Sequence, residues 1–235
     1  MQVLPDWLKS GYLRVINPIA DWLVKRGVRP NTLTTIGTLC SMAGGVIYGL
    51  GHIKIGGWFL GLTALFDVLD GTVARRTNRS STFGAFYDST LDRIADGFVL
   101  GGLAVFFATR DGAVHLAMVV VCLLALIGTF VTSYTRARAE ALGIDATGGL
   151  LQRPERVVLL SAPQAFFGLA LHGLVLSGII VLLAVTAWIT TVQRIVAVYR
   201  ATRLDHPNAA LLRSDGARLP ASGEPIAARS MSKGE

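Results

Sequence analysis

The sequence predicts an all-α integral membrane bundle of six transmembrane helices, preceded by an N-terminal amphipathic helix lying in the membrane interface. Three observations lead there. Of 235 residues, 52% are hydrophobic and only 16% charged, whereas an average soluble domain is about a quarter charged. Several stretches with little or no charge are long enough to cross a bilayer. Lys and Arg outnumber Asp and Glu by 22 to 15 and gather in particular connections, as they do in cytoplasmic loops of membrane proteins. Nucleic-acid binding does not explain that excess, because a basic domain of that kind has no need of charge-free runs. Cys40 and Cys122 sit inside apolar runs without CxxC spacing, which argues against a disulfide framework or a cysteine metal site.

Residues 1–29 form the first unit. Leu4, Trp7, Leu8, Val15, Ile19, Trp22 and Leu23 recur at helical spacing among Lys9, Arg14, Lys25 and Arg26. That pattern suits a helix half sunk in a membrane surface, and equally one packed on the rest of the protein. Asp6, Lys9, Arg14 and Asp21 interrupt the apolar core that a signal peptide requires. Pro30 then ends the helix, and Asn31 or Thr32 can cap the next.

The bundle domain covers 30–204, with spans expected near 33–50, 55–74, 82–109, 113–136 (continuing as polar helix to 142), 155–171 and 174–199. A glycine-rich loop occupies 143–152. Six spans put both termini on one side. Of the basic residues in the connections, only Lys54 and Arg110 fall on the opposite side, so the termini are expected in the cytoplasm, with the chain multi-pass in the plasma membrane. The tail, 205–235, is rich in Ser, Ala, Gly, Pro and charge, and has too little to bury to be expected to fold.

The chemistry is carried by four carboxylates inside two spans. Asp67 and Asp70 are three residues apart, and Asp88 and Asp92 four apart, so each pair lies on one face of its helix. An ionised group at membrane depth costs several kcal/mol unless it is paired, metal-bound or facing water. Hard oxygen donors of this kind suit Mg²⁺ or Mn²⁺, and four carboxylates can hold two such ions, an arrangement that clamps transferring phosphoryl groups. Salt bridges to Arg75, Arg76 and Arg93 are the bland explanation. A cation or proton transporter would also use intramembrane carboxylates.

Between the pairs the chain reads Asp67-Val-Leu-Asp70-Gly71-Thr-Val-Ala74-Arg75, then eight residues, then Gly84-Ala-Phe-Tyr-Asp88-Ser-Thr-Leu-Asp92. This resembles the D-x2-D-G-x2-A-R-x8-G-x3-D-x3-D signature of the CDP-alcohol phosphotransferase family at all eight fixed positions. The resemblance implies displacement of CMP from a CDP-linked lipid, CDP-diacylglycerol, by an alcohol oxygen. It implies Asp67, Asp70, Asp88 and Asp92 as metal ligands, with Asp92 also the base that deprotonates the alcohol. It further implies nucleotide contacts from Pro30, Asn31, Thr32, Gly71, Ala74, Arg75, Ser81 and Gly84, and a homodimer. Gly71 and Gly84 leave room for a nucleotide to approach the backbone, and Arg75 can pair with a pyrophosphate. Asp96 continues the same helix face outside the motif and reads as a structural partner for an arginine.

The acceptor is addressed by Ser133-Tyr134-Thr135-Arg136-Ala137-Arg138-Ala139-Glu140 and by Gln152-Arg153-Pro154-Glu155-Arg156, with Arg194 at the matching level of the last helix. Arginines on three helix ends facing one cavity make a site for a phosphorylated, water-soluble substrate. Positive-inside decoration is the alternative. The region resembles the inositol-phosphate branch of the family, the phosphatidylinositol-phosphate synthases, with Arg136 where those carry lysine. That resemblance implies inositol 1-phosphate as acceptor. Glycerol 3-phosphate remains the rival within the class.

Overall fold

The computed structural model describes residues 6–77 and 81–204, with side chains from Ile16 to Arg203. The tail expected to be unfolded and the apolar residues from Leu4 to Val15 lie outside what is described for side chains. Seven helices follow one another: α1 (Asp6–Lys25), α2 (Pro30–Gly49), α3 (Ile53–Arg76), α4 (Thr82–Ala108), α5 (Ala113–Ala141), α6 (Arg153–Phe167) and α7 (Leu174–Leu204). A 3₁₀ turn, Ala170–Gly173, separates the last two. Among the described residues the protein is all-helical.

The helix starts explain themselves locally. Pro30 opens α2 at its first turn, where its missing N–H costs nothing and its fixed φ suits the helix. Asn31 and Thr32 are therefore inside α2 rather than capping it, contrary to expectation, and the Asn31 side chain is left for other work. Ser81 caps α4, its hydroxyl accepting from the Gly84 N–H at 3.0 Å. Gln152 and Glu155 form a reciprocal capping box around the Arg153-Pro154 start of α6, with the Gln152 N–H donating to Glu155 Oε2 at 2.9 Å.

The helix expected as the fifth span ends earlier than expected. Helix α6 stops at Phe167, four residues short of 171, because Gly168 turns to φ +62. The stem of Lys54 lies over that glycine, so a Cβ there would meet Lys54 Cγ at 2.9 Å. Leu171 and His172 then take φ 52 and 56, a conformation that favours glycine, before α7 begins.

By length and composition, three helices among the described residues are apolar enough to cross a membrane: α3, α5 and α7 with its preceding turn. The other three of the bundle depart from a simple span for visible reasons. Helix α2 is rich in Gly, Ser and Thr, α4 carries Asp88, Asp92, Arg93 and Asp96, and α6 has only 15 residues. Large apolar side chains nevertheless line the outside of the bundle on every helix, among them Leu39, Trp58, Phe98, Leu116, Phe166 and Val192. An apolar exterior on that scale marks a membrane protein.

Helices α2 to α7 form a closed ring: α3 packs on α2, α2 on α4, α4 on α5, α5 on α7, α7 on α6, and α6 again on α3. Tyr48, fully buried, donates its hydroxyl to the Leu160 carbonyl at 2.6 Å and so ties α2 to α6 across the interior. A separate small core of Ile16, Ala20, Leu23, Leu33, Leu69 and Val73 seats α1 against α2 and α3. Arg76 clamps the same joint, donating to the side chains of Asn17 and Asp21.

The α2–α4 crossing depends on absent side chains. A Cβ on Gly102 would stand 1.9 Å from the Gly45 carbonyl oxygen, and one on Gly45 would stand 2.3 Å from the Phe98 oxygen. This close approach lets the α4 carboxylates sit beside α2. Gly102→Ala is therefore expected to destabilise the protein by about 1–3 kcal/mol through forced separation of the helices. Gly101→Ala, with nothing within 4 Å of the added atom, is expected to be neutral or slightly stabilising. Thermal unfolding in detergent compares the two.

Candidate functional site

The site lies where α3 and α4 face each other beside the first turns of α2 and α6. Asp67 and Asp70 come from α3, and Asp88, Asp92 and Asp96 from α4. Arg153, from the first turn of α6, bridges the two helices. Its Nη1 meets Asp67 Oδ2 at 2.5 Å and its Nη2 meets Asp92 Oδ1 at 2.9 Å. Arg93 lies 3.5 Å from the other oxygen of Asp92. Asp70 Oδ2 accepts from the Thr34 hydroxyl at 2.8 Å, while Asp88 is exposed at the rim. Asp88 is still within electrostatic reach of Asp67, Asp70 and Asp92.

The four expected carboxylates are thus gathered as charges. Among the described residues, however, no three acidic, His or Cys side chains converge on one ion-sized position. The reason is visible in the bridge: a guanidinium occupies the space between Asp67 and Asp92, and it is itself a stand-in cation. Oxygen-only donors, mounted on rigid helices and already sharing a positive charge, fit a hard divalent ion. A metal and Arg153 would compete for the same two oxygens.

On one side of the carboxylates is a set of small and polar groups. A Cβ on Gly84 would stand 3.1 Å from Ser81 Oγ and 3.4 Å from Asn31 Oδ1, so the starts of α2 and α4 meet at this glycine. Pro30 is half-buried beside Asn31, and Thr32 is exposed. Gly71 has only the Arg75 guanidinium near its open face, at 3.4 Å. Arg75 is exposed, reaching back to the Thr72 hydroxyl at 3.4 Å, and Ala74 is half-buried beside it. One turn further in, the hydroxyls of Thr35 and Tyr87 lie 3.0 Å apart and fasten α2 to α4.

On the other side are the arginines, and the structure divides them. Arg156 points inward, donating to the buried Thr129 hydroxyl at 3.1 Å. Arg194 is 8% exposed and donates to two main-chain carbonyls, Gly148 at 3.0 Å and Thr132 at 2.5 Å. It therefore pins the 143–152 loop to α5 and α7. Arg136 pairs with Glu140 one turn along at 2.8 Å, and Arg138 is exposed. Arg194 lies within electrostatic reach of Arg136 and Arg156. In the loop itself, hydrogen bonds from Thr147 hold the Asp145 carboxyl below the usual carboxylate range.

Sequence reasoning missed Thr34 and Thr129, both buried and both bonded to a motif side chain. Each is a polar residue in a span that needs none, and Thr34 follows Asn31 by three positions. That spacing was the available signal.

A profile of the CDP-alcohol phosphatidyltransferase family matches residues 28–199. The phosphatidylinositol phosphate synthase of Mycobacterium marinum is 38% identical over 233 residues, which cover 96% of this chain and 98% of that protein. Among solved structures, the phosphatidylinositol phosphate synthase of Mycobacterium tuberculosis with CDP-DAG bound superposes with a TM-score of 0.70 at 37% identity, covering 79% of this chain and 94% of that one. The same M. tuberculosis enzyme in complex with manganese and citrate gives a TM-score of 0.71 at 36% identity, covering 78% and 88%.

Removing the bridging guanidinium tests the electrostatics of the site. Arg153→Met leaves Asp67 without its ion-pair partner and facing Asp92, which keeps only the longer contact with Arg93, and is expected to cost about 3 kcal/mol in chelator. Added Mn²⁺ is expected to restore most of that stability. Melting temperatures with chelator and with Mn²⁺ check this; an unchanged melting temperature in chelator would show that the bridge contributes nothing.

Proposed function

The chain belongs to the CDP-alcohol phosphatidyltransferase family, and from that premise we propose that it transfers the phosphatidyl group of CDP-diacylglycerol to inositol 1-phosphate. CMP is the leaving group. The observation that carries this reading is the continuity of charge in the site. The carboxylates of α3 and α4 run directly into Arg153 and Arg156 of α6, so a cation-dependent diphosphate site adjoins a phosphate site.

Asp67, Asp70, Asp88 and Asp92 would hold Mg²⁺ or Mn²⁺, two ions in this reading. Such ions offset the pyrophosphate charge and stabilise the departing CMP. Pro30, Asn31, Thr32 and Ser81 line the nucleotide end, while Gly71, Ala74 and Gly84 let the nucleotide lie against the helices. Arg75, exposed at the rim, swings from Thr72 to the pyrophosphate. Asp92 accepts the proton of the acceptor hydroxyl as its oxygen bonds to the phosphatidyl phosphorus and the bond to CMP breaks. Arg153 exchanges its carboxylate partners for the acceptor phosphate. Arg156, Arg194, Arg136 and Arg138 complete the positive surround, as direct ligands or by fixing the 143–152 loop.

The same reading sets the protein in the plasma membrane with six spans, residues 30–204, and both termini in the cytoplasm. Helix α1 lies at the interface. Its inner face is covered by α2 and α3, while Trp22 and Ile19 face outward, Trp22 with Arg26 stacked over its ring at 4.8 Å. The 205–235 tail remains cytoplasmic and polar.

CMP release from CDP-diacylglycerol with inositol 1-phosphate, inositol and glycerol 3-phosphate offered separately tests the acceptor. Inositol 1-phosphate is expected to give the largest kcat/KM, and a larger value with glycerol 3-phosphate would reject that choice. Asp92→Asn is expected to lower kcat by about 10²–10⁴-fold, and chelation to abolish turnover. For the topology, single cysteines at His52 and Gly148 replace Cys40 and Cys122 as the only thiols. An impermeant maleimide is expected to label the first in intact cells and the second only after permeabilisation.

A further inference from the structure

Beneath the ion-pair bridge the charges continue one turn deeper. Asp96 follows Asp92 by four residues on the same face of α4, and its Oδ2 stands 3.9 Å from Arg156 Nη1. At that distance the two attract without a direct hydrogen bond. Arg156 also feels the like charges of Arg93 and Arg153, so a nearby anion is needed to keep it in place. The same Nη1 donates to the Thr129 hydroxyl of α5.

Among the described residues, the buried side-chain nitrogens and oxygens without a partner are Arg93 Nε, Asp96 Oδ2, Arg153 Nε and Arg156 Nε. Buried polar atoms are seldom left so, and here all four belong to Asp96 or to arginines around the site. A cavity of about 20 Å³, walled for the most part by apolar side chains such as Leu60, Val99 and Leu183, has its polar lining in Ser41, Asp96, Thr129, Arg153 and Arg156. That volume admits one water, and the cavity wall offers it both donors and an acceptor.

We infer that Asp96 and Thr129 form a seat for Arg156, completed by one bridging water, which aims the guanidinium at the acceptor phosphate. The seat holds the deep side of Arg156 and leaves its remaining N–H groups for the ligand. Neither Asp96 nor Thr129 touches substrate; both are positioning residues. This rests on the reading that Arg156 binds the acceptor, and it assigns roles to two residues outside the family motif.

Thr129→Val keeps the shape of the buried side chain and removes only the acceptor of the Arg156 bond; Asp96→Asn removes the charge. Initial rates of the full chain in detergent with Mn²⁺ give the two Michaelis constants. Each variant is expected to raise KM for inositol 1-phosphate about tenfold and to leave KM for CDP-diacylglycerol within about twofold. In an Arg156→Ala background neither substitution should raise the acceptor KM further, because each acts only through that guanidinium. Equal increases in both constants, an unchanged acceptor KM, or an undiminished effect in the Arg156→Ala background would overturn the seat. If Asp96→Asn does not fold, Thr129→Val carries the test alone. An acceptor KM unmoved by Arg156→Ala itself would instead overturn the acceptor reading, and the seat with it.

Discussion

Asp67 and Asp92 are held together across two helices by one guanidinium, and much of the interior is arranged around that pairing. Isolated carboxylates in an apolar bundle are costly, and removing one partner of such a pair is costlier than never having it. Arg153 can reach both because α6 begins there, capped by Gln152 and Glu155 with Pro154 in its first turn. Its partners can be bridged because α3 and α4 are both packed against α2. A local capping motif and a tertiary crossing therefore meet in one contact.

The closeness of the helices is the second condition. Gly45 and Gly102 allow α2 and α4 to touch through their backbones, and Gly57 does the same for α3 against α6, where a Cβ would come 2.5 Å from the Ala165 nitrogen. In a bundle with little hydrophobic driving force between helices, such contacts and interhelical hydrogen bonds supply the attraction. Thr63, Ser41, Tyr48 and Thr132 make bonds of this kind, each between different helices. The polar residues of the spans serve this interior, while the exterior stays apolar.

A site poised between two substrates uses the same charges twice. Arg153 neutralises acidic side chains in the structure, and in the proposed reaction it turns to a phosphate. That exchange is possible because a guanidinium binds carboxylate and phosphate through the same planar fork. Arg194 is spent differently. Bonded to the Gly148 and Thr132 carbonyls, it acts first on the shape of the loop beside the site.

How much of this the residues announced depends on the kind of signal. Carboxylates at spacings of three and four, in helices otherwise largely apolar, marked out the candidate site and its helix faces, because helical periodicity is a local property of the chain. The helix boundaries were legible to within a few residues for α3, α4 and α5, where apolar runs end in charge. They failed for α6, since the turn at Gly168 answers to Lys54 on another helix. Likewise the sequence led to the expectation of five arginines at one end of the bundle without saying which would face inward. Arg153 and Arg156 do, Arg136 pairs with Glu140, and Arg194 holds a loop, because each choice depends on what the neighbouring helix presents. Composition and periodicity by themselves determined the helical class and which carboxylates share a helix face. Only the packed bundle decided which charges share a partner, since that is set by distances between segments far apart in the chain.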